Sequence, residues 1–64
     1  MIELTLPDMT CGHCVRTITE VARRLDPQAD VQTDLSTHRA RFQTEADPQA
    51  LRKALEEEGY PAAP

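Results

Sequence analysis

The sequence predicts an α+β open-faced sandwich, with elements in the order β-α-β-β-α and a last strand that is short or missing. Three observations lead there. Apolar and polar residues alternate in three short runs, the period of strands with one wet face. Before the second run and after the third, the apolar spacing changes to that of a helix. The second and third runs are joined so tightly that they form an antiparallel hairpin.

Each element has its own signal. Ile2, Leu4 and Leu6 alternate with Glu3 and Thr5 until Pro7 stops the strand, and Pro7 to Gly12 reads as a loop. From Cys14 the period lengthens: Val15, Ile18, Ala22 and Leu25 share one face, with Val21 widening it. Arg16, Thr17, Glu20, Arg23 and Arg24 take the wet side. Asp26-Pro27 ends this helix, because a residue before proline is pushed out of the helical region.

From Ala29 to Leu35, Val31, Thr33 and Leu35 alternate with Gln32 and Asp34. After Ser36-Thr37-His38, a polar turn, Ala40 and Phe42 alternate with Arg39, Arg41 and Gln43. Asp47 as N-cap and Pro48 at the first position open a second helix, whose stripe is Ala50, Leu51, Ala54 and Leu55. Gly59 is expected as its left-handed cap. Tyr60 to Pro64 leaves room for a short edge strand at most, and Pro61 weakens even that. Packing both helices on one sheet face gives a ferredoxin-like βαββαβ sandwich.

Composition narrows the function. The chain has 64 residues, 39% of them hydrophobic, and Phe42 and Tyr60 are its aromatics. That suits a single small domain spanning 1–64 with an aliphatic core. It leaves no room for an enclosed substrate cavity, which argues against an enzyme and for no catalytic residues. Net charge is −4, from seven Lys and Arg against eleven Asp and Glu. No basic stripe carries interleaved aromatics, so nucleic acid is not an expected partner. No run approaches the ~20 apolar residues of a membrane span, and no signal peptide is recognisable at the N-terminus, so no stable membrane association is expected. The expected location is the cytoplasm, where thiols stay reduced and a C-x-x-C pair more often binds metal or catalyses than staples a fold.

Both cysteines lie in Met9-Thr10-Cys11-Gly12-His13-Cys14, at the junction of the first loop and helix. Two thiols at this spacing can converge on a soft metal ion or close as a disulfide. Gly12 is expected to supply backbone freedom so that both sulfurs face one ion. The helix N-terminus should lower the Cys14 thiol in particular. Thr10 is expected to brace the loop by hydrogen bonding. His13 reads as exposed and optional, and His38 as a turn residue.

With a strand before it and a helix after it, this hexapeptide resembles the M-T-C-x-x-C loop of the heavy-metal-associated domain family, which includes small copper chaperones and the N-terminal domains of copper-transporting P-type ATPases. The likeness extends to the element order, the Asp47-Pro48 helix start and the Gly59-Tyr60 pair. It implies a cytosolic metallochaperone that binds Cu(I) through Cys11 and Cys14 and passes it on by thiolate exchange to a metal-binding domain of such an ATPase. Zn(II) and Hg(II) are the family's alternatives. A monomer is expected without metal and a metal-bridged dimer is possible with it. The resemblance places Met9 beneath the loop, not on the metal, and Tyr60 near it. The chain departs from the family pattern at its end, where Ala62-Ala63-Pro64 gives almost no fourth strand.

A rival reading comes from the same four residues. Cys11-Gly12-His13-Cys14 is identical to the redox loop of protein disulfide isomerases, which would make the chain a thiol-disulfide oxidoreductase. Such a domain needs about a hundred residues, and Thr10 stands where that loop usually has tryptophan.

Overall fold

The structure, a computed structural model, describes residues 1–63. Three strands, β1 (Ile2–Thr5), β2 (Asp30–Asp34) and β3 (Arg39–Gln43), form one antiparallel sheet in the order β1-β3-β2. Two helices, α1 (Gly12–Leu25) and α2 (Pro48–Glu57), complete the ferredoxin-like order.

The register explains why alternation was readable. Ile2, Phe42 and Val31 align across the sheet, as do Leu4, Ala40 and Thr33. These six side chains point to the helices, and Ala40 and Phe42 on the central strand are fully buried. The opposite face carries Glu3, Gln32, Asp34, Arg39 and Arg41, and there Glu3 pairs with Arg41 at 2.9 Å and with Arg39 at 3.8 Å. Exposed pairs of this kind contribute little, roughly 0–1 kcal/mol. The core lies between sheet and helices, where Leu6, Met9, Ile18, Leu51 and Leu55 join Phe42 with no exposed surface.

Element ends follow their sequence signals with three shifts. Helix α1 begins at Gly12, two residues before the apolar period becomes visible, because Gly12 and His13 are exposed and make no contribution to the apolar face. Leu25, the last residue of α1, is 42% exposed, and Leu35, just past the end of β2, is 39% exposed. Each had been counted on a buried stripe, but each lies where its element has already cleared the layer opposite. Asp47 caps α2 by accepting the Gln49 N–H at 3.0 Å, with Pro48 next to it.

The tail matches the short-or-missing fourth strand. Among the described residues no strand follows α2, yet the Ala63 N–H donates to the Thr5 carbonyl at 2.8 Å. That is one rung on the outer edge of β1. Pro64 lies outside the described residues.

Candidate metal centre

The two thiols stand where the β1–α1 loop becomes helix. Cys11 is the N-cap of α1, with extended backbone (φ −154°, ψ 172°), and Cys14 lies in the first turn. A spacing of three residues puts both on one helix face, and their sulfurs lie 3.3 Å apart. Both are free. Cys11 is exposed, whereas Cys14 is only 9% exposed. One sulfur therefore meets solvent and the other sits just beneath it.

Cys14 is also the more acidic than an ordinary thiol. Its pKa falls from an ordinary 9.0 to about 6, chiefly through the Tyr60 hydroxyl, then the Thr10 backbone N–H and the Cys11 thiol, against the opposing effect of desolvation. Near neutral pH it is largely thiolate, the form that binds metal. Sequence alone credits the helix N-terminus with this lowering, and the structure adds three specific donors. The phenol responds in kind: its hydrogen bond to Cys14 pushes the Tyr60 pKa up, and burial and the charge of the Cys14 thiolate add to this.

Tyr60 reaches this position through the end of α2. Gly59 adopts φ +93°, the left-handed conformation expected of it. The Gly59 N–H donates to the Glu56 carbonyl at 3.0 Å and the Tyr60 N–H to the Leu55 carbonyl at 2.8 Å. These two bonds are a Schellman motif, and it turns the chain so that Tyr60, half-buried, packs on the core beside Cys14.

The remaining loop residues divide clearly. Met9 is fully buried, and its N–H closes a turn on the Leu6 carbonyl at 2.9 Å. The Thr10 side chain is exposed and makes no hydrogen bond among the described residues, so Thr10 acts through its backbone. Gly12 has no left-handed backbone, and the space where a Cβ would stand is open, so the freedom expected of glycine is not called on there. His13 is exposed, and its carbonyl accepts the Thr17 hydroxyl at 3.2 Å.

Two residues enter the site that sequence reasoning set aside. Thr17, assigned to the wet side of α1, is half-buried one turn after Cys14, and its hydroxyl lies by the Tyr60 phenol. The i, i+3 spacing from Cys14 was the available signal. His38, read as a turn residue, sends its Nδ1 to the Met9 carbonyl at 3.0 Å. That contact spans 29 residues and leaves no trace in local sequence. Arg23 and Arg24 lie in the last turn of α1, at the far end from the loop, and Arg24 pairs with Glu58 at 3.1 Å.

Two sulfurs, one already ionised, form a soft donor set that favours ions such as Cu(I) over hard cations. Among the described residues, no group of three or more His, Cys, Asp or Glu is placed to hold a metal ion. The four-ligand cage of a structural zinc site is therefore not available from those side chains within this chain.

Comparison with known proteins agrees with this geometry. The family model of the heavy-metal-associated domain matches residues 3–61. A gold binding protein is 31% identical with a TM-score of 0.90, over 97% of this chain and 95% of its own. Copper chaperone Atx1 from Synechocystis PCC6803, in a trimeric Cu1 form, is 30% identical with a TM-score of 0.93, over 98% of this chain and 100% of its own. Oxidized MerP from Ralstonia metallidurans CH34 is 26% identical with a TM-score of 0.77, over 97% and 90% of the two chains. No curated protein matches the sequence closely enough to add to this set. With its fold, its paired thiols and a family match over nearly its whole length, the chain belongs to the heavy-metal-associated domain family.

Proposed function

We propose that this chain is a cytosolic metallochaperone that binds one Cu(I) between Cys11 and Cys14 and passes it to the metal-binding domain of a copper-transporting P-type ATPase. The observation that carries this reading is the thiol pair itself: free, 3.3 Å apart, and open to solvent on the Cys11 side. The soft-metal proteins among the structural neighbours support the choice of ion.

The unequal environments of the two sulfurs suit a carrier. Cu(I) held by two thiolates stays open to a third, so an acceptor thiolate binds before either original sulfur leaves. Cys11, exposed at the N-cap, is displaced first. Cys14, stabilised as thiolate by the Tyr60 hydroxyl and the Thr10 N–H, lets go last. The same exposed sulfur allows two loaded copies to share an ion as a metal-bridged dimer, while the metal-free chain is a monomer. Hg(II) suits the same two-thiolate grip and is the second reading, whereas Zn(II) would need ligands beyond the two thiols that the described residues bring together. No catalysis is involved.

The test is Cu(I) transfer from the loaded protein to an acceptor domain with its own C-x-x-C, followed by stopped flow. The rate should rise with acceptor concentration and exceed release to a bulky chelator that cannot reach the loop. Replacing both Cys11 and Cys14 by serine should abolish tight binding while the fold persists. A double mutant that still competes with a strong Cu(I) chelator would place the site elsewhere.

A further inference from the structure

His38 occupies a conformation that asks for an explanation. Its φ of +58° makes it the non-glycine residue with left-handed backbone among those described. Such a position is uncommon for a residue with a Cβ and directs attention to what holds it there. It lies in the β2–β3 turn, far in sequence from the cysteines. In space it spans the turn before them. Its carbonyl accepts the Leu6 N–H at 2.7 Å, and its Nδ1 meets the Met9 carbonyl at 3.0 Å. A carbonyl only accepts, so Nδ1 carries the proton and donates.

The Met9 carbonyl shares its peptide with the Thr10 N–H. That peptide is trans and planar, so the two groups point in opposite directions. Pinning the carbonyl toward His38 therefore aims the N–H the other way, where the Cys14 sulfur lies. We propose that His38 is a positioning residue for the metal loop: by holding the Met9 carbonyl it fixes the Met9–Thr10 peptide plane and keeps the Thr10 N–H on the Cys14 sulfur. The role of that sulfur as a ligand rests on the copper reading above, but the clasp itself does not.

Two variants separate positioning from scaffolding. His38→Gly keeps the left-handed backbone at no cost and deletes the donor. His38→Asn tolerates the same backbone and puts an amide N–H where Nδ1 stood. Amide exchange of the reduced, metal-free proteins reads the peptide directly. In His38→Gly the Thr10 amide should exchange about tenfold faster, the worth of one modest hydrogen bond, while Ile18 and Phe42 stay protected. Cu(I) affinity against a competing chelator should fall about five- to tenfold with it. His38→Asn should restore both to within about threefold.

Unchanged Thr10 exchange in His38→Gly overturns the proposal. So does equal acceleration of Thr10, Ile18 and Phe42, or an Asn variant that restores neither readout. A wild-type protein that fails to take up Cu(I) sinks the copper reading alone, because the exchange data still decide the clasp.

Discussion

Cys11 and Cys14 share a motif, yet the fold makes them unlike. Burial alone would raise the Cys14 thiol, as desolvation does for any acid. Three donors outweigh it, and the first is a hydroxyl. Tyr60→Phe should therefore raise the Cys14 pKa from about 6 toward the ordinary 9.0. Thiolate absorbance against pH in the reduced protein measures this, and a titration unmoved by the substitution would show that the phenol is a bystander. The spacing of the cysteines was legible in the sequence, because it lies within one turn of helix. Their inequality was legible in part, because a helix N-terminus favours the Cys14 thiolate, but the larger contribution of the Tyr60 hydroxyl was not, since Tyr60 reaches the site from beyond the end of α2. Proximity across a fold has no local sequence signature unless family resemblance supplies it.

Among the elements, α2 does more than cover the sheet. Leu51 and Leu55 bury its inner face, and its C-cap then sets where Tyr60 goes. Gly59→Ala should cost about 1–2 kcal/mol, because φ +93° is strained for any residue with a Cβ. Nothing lies within 4 Å of that Cβ, so the penalty is one of backbone and not of clash. The same variant should raise the Cys14 pKa as Tyr60 shifts, a coupling that chemical denaturation and thiolate titration test together. A loss of stability with the thiol left at about 6 would mean that Tyr60 is placed by core packing and not by the cap. The strands, α2 and its cap were readable because alternation, Asp47-Pro48 and Gly59 are local signals with local causes. The start of α1 was not, because Gly12 and His13 are exposed and carry no apolar period.

For the molecule as a whole, the depressed thiol links metal chemistry to stability. In the folded protein Cys14 holds its proton less tightly than an ordinary thiol of 9.0. Between about 6 and 9.0 the unfolded chain therefore binds more protons than the folded one. The reduced, metal-free protein should become more stable as pH rises through that window and lose the increment as pH falls through about 6. Urea midpoints across the range read the effect, and Cys14→Ser should flatten it. A wild-type curve already flat from pH 6 to 9 would mean the thiol is not depressed. Cu(I) uptake should weaken over the same acid limb, because protons then compete for the same sulfur.

The last residues of the chain bear on handling as well as on fold. Ala63 clips onto the Thr5 carbonyl, and only three residues earlier in the same segment Tyr60 lies by Cys14. Edge and sulfur thus share one short segment, with Ala62 between them packed on the core, so a disturbance of this tail reaches both the β1 edge and the surroundings of the thiolate. A tag or surface tether joined after residue 63 pulls on this segment. Met1 is the quieter anchor: it is 79% exposed and sits at the end of β1 that points away from the cysteines.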